Sequence, residues 1–260
     1  MTAARPILAV ENLSVRFGGV RALTDIAFEA PAGATSGIIG PNGAGKTTLF
    51  NCISGFIRPS PGARVLLDGR DVIGERVDAI ARLGIARTFQ NISLSRTRTA
   101  RENILAGLHL SLRYGAIAAM LPLPSVRRAE AEADRAVRDV AERVGLTERV
   151  LATEAGALSL GLQKKVEVAR ALVRKPRLLM LDEPAGGLND AETADLVDCL
   201  RGLRAEPDLS ILLIDHDMNL VMPLCDHICV LNFGERVAVG PPAEIQANPD
   251  VIACYLGADA

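Results

Sequence analysis

Residues Gly40-Pro41-Asn42-Gly43-Ala44-Gly45-Lys46-Thr47-Thr48 fit the pattern G-x-x-x-x-G-K-[ST]. Glycines let a backbone wrap closely around phosphates, and amides leading into a helix N-terminus attract negative charge. In such a cradle Lys46 reaches the β- and γ-phosphates of a nucleotide, and the Thr47 hydroxyl ligates Mg2+. The chain has four lysines among 29 basic residues, so a lysine here is not the by-product of a lysine-rich composition. A second constellation is Leu178-Leu179-Met180-Leu181-Asp182-Glu183-Pro184, an apolar run ending in two adjacent carboxylates. Asp182 at such a strand end can hold the Mg2+ shell. Glu183, on the other side of the backbone, can activate a water against the γ-phosphate, which favours hydrolysis over phosphoryl transfer.

These groups need elements that hold them. Ser36–Ile39 reads as a short buried strand feeding the glycine loop, with a helix following to Ile53 and Gly55 near its stop. The uninterrupted apolar runs Leu178–Leu181 and Ile211–Ile214 suit parallel strands buried on both faces. Earlier, Ile7–Phe17 and Ile26–Glu29 alternate apolar and polar residues around Gly18-Gly19, as antiparallel strands with one wet face do. Further strands are expected at Arg64–Leu67 and Gly84–Phe89. In Arg127–Val144, Ala129, Ala133, Val137, Val140 and Val144 share one helical face, and Gly145 is the stop. Ile228–Val239 reads as a hairpin around Asn232-Phe233-Gly234-Glu235, followed by one final helix after Pro241-Pro242.

Composition sets the outer limits. Of 260 residues, 49% are hydrophobic, and Lys+Arg 29 against Asp+Glu 31 leaves a net charge of -2. That balance lacks the positive excess of a dedicated nucleic-acid binder. Mean hydropathy is +0.23, yet the longest uncharged stretch, Ala30–Gly45, is broken by Gly and Pro and too short to span a bilayer. No charged-then-apolar leader is expected at the N-terminus, and the chain is expected to be soluble. Five scattered cysteines with no C-x-x-C pair fit buried, reduced thiols.

Four further segments narrow the class. Leu158-Ser159-Leu160-Gly161-Leu162-Gln163 resembles the L-S-G-G-Q signature of ABC transporter ATPases. Thr88-Phe89-Gln90 is similar to that family's Q-loop, His216 in Ile214-Asp215-His216-Asp217 to its switch histidine, and Phe17 to the aromatic that stacks on adenine. The resemblance covers nearly the whole chain, in order and spacing. It implies an α/β fold, namely a P-loop NTPase (RecA-like) core with an N-terminal antiparallel β subdomain and an inserted helical subdomain. The expected division is 1–90 and 158–260 for the nucleotide-binding core, with 91–157 helical.

The same resemblance implies roles. Ser159 and Gly161 would cap the γ-phosphate of an ATP held by a second ATPase subunit, identical or homologous, in a head-to-tail dimer. Gln90 would touch Mg2+ or the attacking water and sense a transmembrane partner, and His216 would hold the γ-phosphate and orient Glu183. Two departures stand out: Leu160 and Leu162 replace the usual Gly and Gln, and Asn189 stands where many members have Asp. Arg87-Thr88-Phe89-Gln90-Asn91, Glu183–Asn189, His216–Met222 and the ending Asn248–Gly257 resemble the ATPases of branched-chain amino acid importers. That subgroup implies ATP hydrolysis at the cytoplasmic face of the inner membrane, beside two transmembrane permease subunits and, indirectly, a periplasmic substrate-binding protein. Alternative cargoes are urea, amides or small organic acids; the alternative class is a soluble, non-transport ABC ATPase.

Part of the sparsely charged stretch Gly107–Val126, with the neighbourhood of Gln90, is a candidate groove for a membrane-subunit helix, to be probed by charge at Ile117 and Leu121, and the stretch is equally a candidate helical core. Arg96, Arg98 and Arg101 read as a solvated basic face, and His109 and His227 as structural residues.

Overall fold

In the computed structural model, residues 5–109, 124–206 and 208–256 are described; Ile117 and Leu121 lie outside them. Two compact units emerge: one takes in the chain to Arg87, Arg177–Gly186 and the chain from Arg204, and the other Thr88–Pro176 and Gly187–Leu203.

The described strands of the first unit are β1 (Pro6–Phe17), β2 (Val20–Pro31), β3 (Thr35–Ile39), β4 (Arg64–Leu67), β5 (Arg70–Asp71), β6 (Ile85–Arg87), β7 (Leu178–Asp182), β8 (Ser210–Ile214), β9 (His227–Asn232) and β10 (Glu235–Gly240). They form an antiparallel sheet of order β2-β1-β4-β5 and a second sheet of order β10-β9-β3-β8-β7-β6. In the second sheet β9, β3, β8, β7 and β6 run parallel, and β10 closes one edge antiparallel. Every residue of β3, β7 and β8 is buried, which is why their sequences are apolar runs rather than alternations. β6 is shorter than Gly84–Phe89. It is an edge strand that pairs only through Ile85, Ala86 and Arg87 with β7.

The two sheets share one core. Leu8, Leu13, Leu23 and Ile26 of the antiparallel sheet join Phe50 and Ile53 of the helix Lys46–Ile53 and Met180 and Leu212 of the parallel sheet. Each such side chain contributes about 1.5–3 kcal/mol by leaving water. Cys52, Cys225 and Cys229 belong to the buried set, and burial pushes their thiols up to about 12, so they act as small apolar residues.

The topology fixes where chemistry can happen. β3 lies beside β8, and β8 beside β7, all parallel. Their C-terminal ends therefore open on one edge of the sheet, where α/β folds bind ligands.

In the second unit, Ala133, Val137, Val140 and Val144 are buried along the helix Pro124–Arg143 and its exit, and Gly145 follows at φ 71°. Arg101 ion-pairs with Asp134 and Arg98 with Glu102. The helix Leu160–Leu172 holds the segment 90–93 by three side chains. Lys164 Nζ donates to the Gln90 carbonyl at 3.3 Å. Glu167, 1% exposed, accepts from the Ser93 amide at 2.8 Å, and Arg170 donates to the Ser93 carbonyl at 2.8 Å and hydroxyl at 2.7 Å.

The C-terminal region forms two helices, Pro242–Ala247 and Pro249–Leu256, rather than one. Asn248 stops the first, and its Oδ1 accepts from the amides of Asp250 and Val251. Pro249 takes the first position of the second helix, where a missing N–H costs nothing.

Candidate nucleotide-binding site

Leaving β3, the chain turns at Gly40 with φ 148°, a conformation that L side chains rarely adopt. A Cβ there would sit 2.0 Å from the Leu231 carbonyl oxygen, so the position is closed to any larger residue. Replacing Gly40 with Ala should distort the loop at a cost of at least about 1–3 kcal/mol. The expected result is a lowered melting temperature with no further rise on adding ATP; a variant that melts and responds to ATP like the parent would refute the close approach.

Lys46 opens the helix, 6% exposed, and its ammonium donates to the carbonyls of Gly40 at 2.7 Å and Pro41 at 2.9 Å. Burial lowers its pKa, opposed by the charges of Glu183 and Asp215. The loop thus cages its own lysine at the point where positive charge would meet phosphate. Residues 42–48 and Glu183 line a cleft of about 400 Å³, whose remaining wall is Val20, Arg21, Ala22 and Phe233. Gly40 and Pro41 lie behind the lysine rather than on this lining.

Asp182 ends β7 buried, 2.6 Å from the Arg87 guanidinium. Arg87 also donates to Asn51 and Ser54, at 2.8 and 2.7 Å. Its guanidinium lies 5.5 and 5.8 Å from the ring centres of Phe50 and Phe56, within cation–π range. One arginine therefore ties the acidic strand end to the helix that follows the phosphate loop.

Glu183 follows at φ 46°, its amide donating to the Ile214 carbonyl at 2.8 Å. Left-handed backbone is uncommon outside glycine and asparagine and clusters where function requires it. Here it turns a carboxylate into the cleft beside the phosphate loop. Asp215, fully buried at the end of β8, accepts from the amides of Ala185, His216 and Asp217 at 3.0, 2.8 and 3.0 Å. It staples the loop after Glu183 to the loop carrying His216. The His216 side chain is 61% exposed, with Nδ1 3.7 Å from Asp215.

Phe17 is half exposed at the end of β1, paired with Val20 across the hairpin, and lies outside the cleft lining.

Within the second unit, Ser159 caps the helix Leu160–Leu172, its Oγ accepting from the Leu162 amide at 3.4 Å, and remains exposed. The Gly161 amide donates to Glu192 at 3.2 Å. Glu192 also exchanges reciprocal bonds with Asn189, amide to side chain in both directions at 3.0 and 3.3 Å, the arrangement that starts a helix firmly. Asn189 thus caps the helix Asp190–Leu203. Gln90 is exposed, with its carbonyl on Lys164.

Arg87, Asp215 and Phe233 were not picked out from the sequence as site residues. Asp215 carries the one readable signal, an acid closing an apolar run just as Asp182 does.

A glycine-rich loop between a parallel strand and a helix, with an acidic end on a parallel strand one place removed in the same sheet, defines a phosphate-loop nucleoside triphosphatase. Comparison with known proteins narrows this. Residues 23–186 match the ABC transporter family and residues 235–260 the family described as branched-chain amino acid ATP-binding cassette transporter. The high-affinity branched-chain amino acid transport ATP-binding protein BraF of Pseudomonas aeruginosa is 45% identical over 98% of this chain and 99% of its own. LivG of Escherichia coli, of the same description, is also 45% identical, over 98% and 99%. Among solved structures, the ADP conformation of MJ1267, an ATP-binding cassette of an ABC transporter, superposes with TM-score 0.83 at 28% identity, over 97% of this chain and 99% of that one. The chain belongs to the ABC transporter family and is an ATP-binding, ATP-hydrolysing cassette.

Proposed function

We propose that this protein powers an importer of branched-chain amino acids. It would work as one of two cassettes in a head-to-tail pair at the cytoplasmic face of the inner membrane, against two permease subunits served by a periplasmic binding protein. The reading is supported by 45% identity over 98% of the chain to proteins described in those terms, and by the match of residues 235–260. The reading keeps 1–90 and 158–260 as the nucleotide-binding core and 91–157 as the helical subdomain, whereas compactness groups Thr88–Pro176 and Gly187–Leu203, with the helices Leu160–Leu172 and Asp190–Leu203, in the second unit.

The chemistry rests on the shared edge of β3, β7 and β8. Residues 40–48 hold the triphosphate of ATP, and Lys46 exchanges its two carbonyl partners for phosphate oxygens, a stronger charged pairing. Mg2+ would be held by the Thr47 hydroxyl and Asp182, with Gln90 completing the set. These are hard oxygen donors. Among the described residues no three His, Cys, Asp or Glu side chains are grouped to hold a metal alone, which fits an ion bound jointly by one carboxylate, phosphates and water. Bound there, the ion would neutralise charge developing on the phosphates. Glu183 takes the proton from the attacking water, and His216 holds the γ-phosphate and orients Glu183. Ser159 and Gly161 close over the γ-phosphate of the ATP on the partner cassette, and Phe17 meets adenine.

The test is reconstitution. The chain is co-purified with its membrane subunits, placed in vesicles and assayed for ATP-driven uptake of leucine, isoleucine and valine beside urea. Leucine-class uptake abolished by Lys46→Ala is the expected result. Uptake of urea alone would move the cargo. A chain that hydrolyses ATP but binds no membrane subunit would overturn the importer reading.

A further inference from the structure

The turn between β9 and β10 has two residues, Phe233 and Gly234, flanked by the paired Asn232 and Glu235. Both have positive φ, 47° and 79°, the geometry of a type I′ hairpin turn, where Asn, Asp or Gly is favoured at the first position. A bulky aromatic there is a steric outlier. Phe233 is also 89% exposed, the most exposed large apolar residue among those described. The sequence thus sets a ring where neither backbone preference nor burial rewards it, the kind of local conflict that marks functional positions.

Its surroundings say what the ring is for. The turn is pinned on two sides: the Gly234 amide donates to the carbonyl of Ala44 in the phosphate loop at 3.2 Å, and the Thr24 amide to the Gly234 carbonyl at 2.8 Å. A Cβ on Gly234 would lie 2.6 Å from the Ala22 carbonyl oxygen, so the turn is pressed against β2. Phe233 stands on the cleft that the phosphate loop lines, beside Val20, itself 69% exposed, and Ala22. Phosphate-loop backbone forms one part of this cleft, and Val20, Ala22 and Phe233 give the other an apolar face beside the charged Arg21, a division that matches a nucleotide's own two halves.

We infer that Phe233 is a binding residue for ATP, its ring packing on the nucleoside while residues 42–48 hold the phosphates. The contact is apart from any made by Phe17, which is outside the lining. A ring face offers no hydrogen-bond code, so it grips purines without choosing between them. The inference rests on the ATP site proposed above and locates its nucleoside wall on the β9–β10 turn.

The test compares ATP, GTP and inorganic tripolyphosphate binding to the full-length parent, Phe233→Ala and Phe233→Trp. Loss of base stacking should weaken ATP and GTP by a similar factor, about 5- to 20-fold, with tripolyphosphate unchanged and affinity restored in Phe233→Trp. Unaltered ATP affinity in Phe233→Ala would overturn the inference, including where the variant instead weakens association of two cassettes. Equal losses for ATP and tripolyphosphate would also overturn it, because the turn would then be acting only by bracing the phosphate loop. Failure of the underlying site is read separately: the parent would then bind ATP no better than Lys46→Ala does.

Discussion

Glu183→Gln should lower steady-state ATP turnover by about 10²- to 10⁴-fold, the usual contribution of a positioned general base, while ATP still binds. The amide keeps the size of the side chain and the left-handed backbone at φ 46° but cannot accept a proton from water. Lys46 would lose one of the two charges that raise its pKa against the effect of burial, a modest change beside the loss of the base. With hydrolysis blocked and phosphate contacts intact, the ATP-bound pair of cassettes should accumulate, visible as a shift to twice the mass in size-exclusion chromatography with Mg-ATP. A variant that stays monomeric in ATP, or turns over within tenfold of the parent, would show that Glu183 is not the base. Glu183→Gly adds a control, since it relieves the backbone and removes the carboxylate together.

Arg87→Leu is the second large effect, on folding rather than on turnover. Arg87 and Asp182 have side chains only 7% and 5% exposed and lie 2.6 Å apart. Breaking such a pair from one side leaves a carboxylate stranded away from water, at a cost of about 3–5 kcal/mol. The helix Lys46–Ile53 would lose its ties through Asn51 and Ser54 as well. Urea unfolding should register that loss, and Arg87→Leu combined with Asp182→Leu should recover part of it because no buried charge remains. If the single variant unfolds within about 1 kcal/mol of the parent, the pair is not what secures the strand end.

Much of the site was legible because its parts are contiguous in the chain. The phosphate loop is a single run of nine residues, and Asp182-Glu183 and Asp215-His216 each close an apolar run that burial on two faces demands. The helical face of Ala133, Val137, Val140 and Val144 was readable for the same reason, since spacing along the chain carries it. What escaped depends on strand order. Arg87 meets Asp182 only because β6 pairs with β7, and Phe233 reaches the phosphate loop because the β9–β10 turn folds back on Ala44. No local pattern encodes either neighbour. The C-terminal region shows the opposite limit: Asn248-Pro249 is a local signal that the reading of a final helix after Pro241-Pro242 did not use, and the cap formed by Asn248 decides for two helices.

The grip of Lys164, Glu167 and Arg170 on residues 90–93 has a mechanical consequence. Spaced by three along one face, these side chains join the helix that begins after Ser159 to that segment by directional bonds, one of them to the buried carboxylate of Glu167. Such a joint resists sliding of one part past the other. A displacement of the segment is therefore handed to the helix through these bonds, and a displacement of the helix to the segment.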